Sequence, residues 1–135
     1  MVQYLLDTDT CIYWLKGRTP VRERLLAVGW SEISICRITV AELYFGAYNS
    51  SKIEQNLATA DKFIRSISVL SLTDNALNNF GKIKAKLRQQ GKPIADFDLL
   101  IASVALSENL ILVTNNTRHY ERISELNLEN WMNAT

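Results

Sequence analysis

The feature that most constrains this chain is a short apolar run that ends in acid. Tyr4-Leu5-Leu6 reads as a buried strand, Asp7 follows at once, and Asp9 comes two residues later. A carboxylate at the edge of a core is costly unless something pairs with it. A metal ion or a phosphoryl group would pair with it. Capping the next helix would also account for Asp7 or Asp9, since Asp is a favoured N-cap residue. The stretch alone leaves both accounts open.

The rest of the chain reads as strands alternating with helices. Strands are expected over residues 2–6, 32–36, 69–72 and 110–114, with a short edge strand over 128–131. Helices are expected over 10–16, from Pro20 at N1 to about Val28, 39–48, 52–66, from a Thr73 or Asp74 cap to Gln90, and 96–109, with a helical turn over 119–123. Gly17 and Gly91 supply helix stops. In the helix 52–66, Ile53, Leu57, Ala60 and Ile64 share one face. This alternation predicts an α/β fold, a mostly parallel sheet of about four to five strands with helices on both faces. In such sheets ligands bind beyond the carboxyl ends of the strands.

The 135 residues suffice for one domain spanning 1–135, with no linker, repeat or low-complexity segment. A net charge of +1 excludes a broadly basic nucleic-acid coat, so any nucleic-acid contact must come from a local patch. Two cysteines, Cys11 and Cys36, make no disulfide framework and read as reduced core residues. Asp7 and Asp9 interrupt the early apolar run, so no signal segment is read there, and no stretch is long enough to span a membrane. A cytoplasmic protein with no membrane association is expected.

Parallel strands would bring several polar residues to the edge where Asp7 lies. Glu42 is in the helix after the second strand, Asp98 is in the first turn of the helix 96–109, and Asn115 and Asn116 follow the fourth strand. Hard oxygen donors without a His/Cys cluster suit Mg²⁺ or Mn²⁺ rather than zinc. Each residue also has a structural account. Thr39-Val40-Ala41-Glu42 matches a capping box with Glu42 at N3. Asp96 sits where an N-cap belongs, and Asp98 at N2 is favoured by the helix dipole. Asp96 and Asp98, two apart on a helix, point to different sides and cannot easily share one metal. Asn115 and Asn116 are also turn formers.

Taken together these motifs resemble a known family. The residues are Leu5-Leu6-Asp7-Thr8, Ile38-Thr39-Val40-Ala41-Glu42-Leu43-Tyr44-Phe45-Gly46-Ala47, Gly91-Lys92-Pro93-Ile94, Asp98-Leu99-Leu100-Ile101-Ala102, Leu112-Val113-Thr114-Asn115-Asn116-Thr117-Arg118 and Leu128-Glu129-Asn130-Trp131. In order and spacing they are similar to the PIN-domain toxins of type II toxin–antitoxin pairs, the VapC group, over essentially the whole length. The resemblance implies a PIN-like fold and a metal-dependent endoribonuclease neutralised by a VapB-like antitoxin. It also implies a homodimer and an antitoxin helix lying across apolar helices. The family acids fall on Asp7, Glu42 and Asp98, and its fourth position on Asn116. The family usually has Asn where this chain has Asp9. Close relatives often have an acid at His119 and a small residue or proline at Asp96.

The implied mechanism has Asp7, Glu42 and Asp98 as direct or water-mediated ligands of Mg²⁺ or Mn²⁺, ionised against their mutual repulsion, with two ions about 4 Å apart if both bind. Asn116 would donate a neutral oxygen. Thr8 and Thr114 either orient carboxylates or are ordinary turn hydroxyls. His119 contacts a substrate phosphate, serves as an acid or does neither, and Asp9 either orients its loop or touches a metal. Arg18, Lys92, Arg118 and Arg122 lie in loops or turns near the expected catalytic edge, whereas Lys82, Lys84, Lys86 and Arg88 read as a solvated helix face. Some relatives act on initiator transfer RNA, which makes transfer RNA a substrate the resemblance suggests. Two rivals stand beside this reading. Asp7-Thr8-Asp9-Thr10-Cys11 nearly matches the haloacid-dehalogenase pattern, a phosphohydrolase with Asp7 as nucleophile, although Cys11 replaces its Thr or Val. An inert partner-binding module would keep the fold and lose all RNA cleavage.

Overall fold

The computed structural model describes residues 2–133. Five short strands form one sheet: β1 (Tyr4–Leu6), β2 (Ile33–Cys36), β3 (Ser68–Leu70), β4 (Ile111–Val113) and β5 (Leu128–Glu129). Their order is β3-β2-β1-β4-β5, and every neighbouring pair is parallel. The helices are α1 (Thr8–Leu15), α2 (Thr19–Val28), α3 (Arg37–Tyr48), α4 (Ile53–Ser66), α5 (Asp74–Gln89), α6 (Asp96–Ser107) and α7 (Thr117–Tyr120). The expected α/β architecture is present, with the sheet parallel throughout.

The sheet separates two cores because successive strand residues point to opposite faces. Leu5 packs with Ile83 and Leu87 of α5 and with Leu99, Ile101 and Ala105 of α6. Leu6 packs on the other side with Cys11, Val21, Leu25, Val40, Leu43 and Phe63, from α1 to α4. Ser34 of β2 is fully buried, and its hydroxyl donates to the Tyr4 carbonyl at 2.8 Å. Trp30 stands edge-on to both Trp14 and Phe63, tying α1 to α4. Cys11 and Cys36 are buried free thiols, and burial pushes both thiols up from their usual range.

Local signals end the helices as expected at two glycines. Gly17 and Gly91 adopt φ of +74° and +67°, the left-handed region open to glycine, just past α1 and α5. Thr73 caps α5 by accepting from the Ala76 amide at 3.2 Å. Helix starts differ from expectation at six places, two of them at α4, which begins at Ile53, and α7, which begins at Thr117. α1 begins at Thr8, because Asp7 itself is the N-cap, so Asp9 lies inside the first turn. α2 begins at Thr19, which places Pro20 second in the helix. α3 begins at Arg37, so Thr39 is a helical residue and the Thr39/Glu42 capping box does not form. α6 begins at Asp96 after an Ala95 cap, so Asp96 is no N-cap and Asp98 stands third in the helix.

The order of connection matters for function. The chain lays β2 and β3 on one side of β1, then returns to lay β4 and β5 on the other. The crevice between the carboxyl ends of β1 and β4 is therefore the topological switch point, where α/β sheets place ligands. Replacing Leu5 with Ala in this central strand removes a fully buried side chain. It is expected to cost about 2–5 kcal/mol in urea denaturation, whereas Leu26→Ala, on an exposed position, is expected to change stability by less than about 0.5 kcal/mol.

Candidate active site

Asp7 leaves β1 directly into the switch-point crevice. Its residue is 6% exposed, and both carboxylate oxygens are held. Oδ1 accepts from the Thr8 amide at 2.8 Å and Oδ2 accepts from the Thr114 hydroxyl at 2.9 Å. Thr114 follows β4, so this bond closes the crevice from both strands. The same hydroxyl lies 3.3 Å from Asp9 Oδ2 and accepts from the Asn116 amide at 3.1 Å. Asp9 Oδ2 also accepts from the Asn115 amide at 3.0 Å.

Glu42 enters from α3. Its Oε1 accepts from the Thr8 hydroxyl at 2.6 Å, and that hydroxyl also lies 3.1 Å from Thr39 Oγ1. Asp98, from the first turn of α6, has Oδ2 3.4 Å from His119 Nε2. That separation is beyond a well-formed hydrogen bond, and Nε2 makes none. Asp96 points away and takes Lys84 Nζ at 2.9 Å on the exposed surface. The two acids of α6 thus diverge, as their spacing requires. Asn115 is a scaffold residue: its side chain donates to the Tyr13 hydroxyl at 3.2 Å and accepts from Asn130 at 3.0 Å. Asn116 is the N-cap residue of α7, makes no side-chain capping bond and is exposed.

The electrostatics are unbalanced. Burial, and then the charge of Asp9, push the Asp7 carboxyl up to about 7. Asp98 adds to the rise, which places its charge within reach of Asp7. Asp9 is raised too, mainly by burial. Asp7 and Asp9 form no ion pair with any lysine or arginine among the described residues. Tyr120, absent from the expected set, also faces this charge. It is fully buried, its hydroxyl has no hydrogen-bond partner, and burial followed by Asp7 and Asp98 raises its pKa far above the usual value. Nothing in the local pattern of Thr117–Tyr120 marks one aromatic of a single turn as a site residue.

A divalent cation suits this donor set. Among the described residues no three carboxylate, imidazole or thiol groups form a ready cage. Mg²⁺ does not need one, because it keeps several waters and is commonly held by one or two carboxylates. Asp7 supplies a buried carboxylate whose charge is felt together with those of Asp9 and Asp98, and Thr8 links it to Glu42, its amide donating to Asp7 and its hydroxyl to Glu42.

A model of the PIN domain family matches residues 4–126. A VapC of Shigella flexneri, described as a tRNA(fMet)-specific endonuclease, is 40% identical over 97% of this chain and 99% of its own length. The chain belongs to the PIN-domain family, in its VapC group. A VapC2 ribonuclease of Haemophilus influenzae is likewise 40% identical, covering 98% of this chain and all of the relative. Among solved structures, the DNA-bound VapBC of Salmonella typhimurium superposes with a TM-score of 0.92 at 39% identity, covering 97% of this chain and 99% of that one. VapBC2 of Rickettsia felis, bound to a DNA fragment from its promoter, gives 0.90 at 36% identity, covering 97% and 99%. These matches overturn the haloacid-dehalogenase reading. In this PIN domain Asp9, within α1, accepts from the Asn115 amide, and among the described residues no lysine pairs with Asp7.

The raised Asp7 carboxyl has a measurable consequence. The native protein binds a proton at Asp7 more tightly than the unfolded chain does, so this stabilisation is complete below about pH 4 and is lost as pH rises to about 7. Without metal, Asp7→Asn is therefore expected to melt above the parent at pH 8, by an amount on the order of a few kcal/mol, with the gap closing towards pH 4. Thermal melts across that range, with and without Mg²⁺, check it, and added Mg²⁺ is expected to stabilise only the parent.

Proposed function

We propose that this chain is a divalent-metal-dependent endoribonuclease toxin, restrained by a cognate VapB-like antitoxin. The observation that carries the reading is the buried Asp7 carboxylate at the β1–β4 switch point, paired with no lysine or arginine among the described residues, in a chain of the VapC group. Transfer RNA is the substrate class, in line with the description of the Shigella relative.

Asp7, Asp98 and Glu42 are the residues that would hold a divalent cation, which would supply an activated water and charge compensation for the phosphate. Thr114 and Thr8 orient Asp7 and Glu42, a supporting role that fixes ligand geometry. Asn116 offers its side-chain oxygen to the cation or its water. His119 lies beside Asp98, with Nε2 3.4 Å from its carboxylate.

An acidic crevice repels RNA, so binding needs a basic rim. Gly91, Lys92, Pro93, Arg118, Glu121 and Arg122 line an open cleft of about 640 Å³ between the loop before α6 and α7. Arg122 donates to the Pro93 carbonyl and ties the two walls together. Lys92 and Arg118 meet the RNA phosphates beside Asp98. The antitoxin covers apolar surface on α3, where Phe45 and Tyr48 are 69% and 63% exposed. The toxin acts as a homodimer in the cytoplasm; among the described residues no helix is long and apolar enough to cross a membrane.

Expressed alone, the chain is expected to arrest bacterial growth. Asp7→Ala and Asp98→Ala are each expected to abolish the arrest, with the fold retained by circular dichroism. Retained full toxicity of both variants would remove the site assignment. Mapping of cleavage ends in total RNA with Mg²⁺ or Mn²⁺, against Asp98→Ala, identifies the target, and an inert module would yield no metal-dependent ends. Lys92→Ala and Arg118→Ala are each expected to weaken RNA binding and to reduce its salt slope by about one, read by titration at several salt concentrations.

A further inference from the structure

We propose that His119 is a nitrogen ligand of the metal site, so that the site takes a borderline transition-metal ion such as Co²⁺ or Zn²⁺ in preference to Mg²⁺. The inference rests on the metal-site reading above and adds one donor to it, with a consequence for which ion is chosen.

His119 Nε2 lies 3.4 Å from Asp98 Oδ2. The nitrogen is buried and has no hydrogen-bond partner among the described residues. A ring nitrogen this close to a carboxylate, yet unbonded to it, is aimed past the oxygen rather than at it. Two donors each about 2.1 Å from one tetrahedral ion stand roughly 3.4 Å apart, and neither points directly at the other. The His119–Asp98 pair has that separation and that misalignment. Ion pairing accounts for the nearness alone. The two side chains are 21% and 34% exposed, and a pair so exposed and without a hydrogen bond contributes little stability. The same exposure gives an ion and its waters a way in.

The imidazole is held in place. The His119 amide donates to the Asn116 carbonyl at 3.2 Å, within the turn that opens α7. The ring stands edge-on to the fully buried Tyr120, with centroids 5.5 Å apart. Oxygen donors alone suit Mg²⁺ or Mn²⁺, whereas imidazole favours the later transition metals. Both thiols, Cys11 and Cys36, are fully buried, so His119 is the softer donor at hand.

His119 is the one histidine in the sequence, so any imidazole signal from a bound metal reports this residue. The test is calorimetric titration of the purified, untagged full chain with Co²⁺ and separately with Mg²⁺, beside proton NMR of the Co²⁺ form, for the parent, His119→Gln and Asp98→Asn. The parent is expected to bind Co²⁺ more tightly than Mg²⁺ and to show one strongly shifted imidazole N–H resonance. His119→Gln is expected to lose that resonance and to bind Co²⁺ about tenfold or more weakly, at least the loss that removing an orienting partner causes, while keeping the parent's Mg²⁺ affinity. Retained Mg²⁺ binding also shows that the variant folds. A parent without the shifted resonance overturns the proposal, whatever the variants do. Unchanged Co²⁺ affinity in His119→Gln, with both ions lost in Asp98→Asn, overturns the imidazole ligand alone. Parent-like binding of both ions by Asp98→Asn overturns the metal-site reading and this inference with it.

Discussion

The structure turns on one buried charge. Asp7 sits at the carboxyl end of the central strand, walled by β2 on one side and β4 on the other. Two hydrogen bonds hold its oxygens, and among the described residues no basic side chain is paired with it. Desolvation and the neighbouring Asp9 then lift its carboxyl towards neutrality. A buried carboxylate of this kind is a local instability, which a proton relieves and a bound cation would relieve. The fold tolerates that strain because the strands around it are buried on both faces and cannot shift independently.

Two threonines turn the crevice into a site. Thr114 joins the end of β4 to Asp7, and Thr8 joins the start of α1 to Glu42 on α3. Each hydroxyl spans two elements remote in sequence, so each carboxylate is aimed by a neighbour rather than by its own helix. Capping and ligation coexist at Asp7: it begins α1 by accepting from Thr8, yet retains acceptor capacity towards the crevice. For Glu42 the capping account fails outright, because Thr39 lies in the helix and Glu42 faces Thr8.

Charge is segregated around this point. Asp7 and Asp9 lie at the end of β1 with the charge of Asp98 acting on Asp7, while Lys92, Arg118 and Arg122 line the cleft that opens beside α7. A chain of nearly neutral net charge can therefore meet a polyanion through a basic rim and still concentrate negative potential where a cation is needed. The short helix α7 serves both sides, with Arg118 on the cleft and His119 and Tyr120 against the acids.

Much of this was legible in the sequence. Alternating apolar strands and amphipathic helices dictated a parallel sheet, and Gly17 and Gly91 marked helix ends because φ near +70° favours glycine. The ordered acids Asp7, Glu42 and Asp98 pointed to hard-cation chemistry, because hard oxygen donors at strand ends suit such ions, and that remains the reading proposed for the site. Helix starts were misread where a side chain had two possible partners. Asp96 reads as a cap until Lys84, twelve residues earlier, is seen to take it, and Thr39 reads as a cap until Thr8 claims its neighbourhood. Tyr120 was invisible, since burial of one aromatic in a four-residue turn is decided by what packs over it. Residue types and their period thus determined the fold class and the acidic set. Tertiary structure alone decided which oxygen accepts from which hydroxyl, because those partners lie 31 to 107 residues apart and only the closed sheet brings them together.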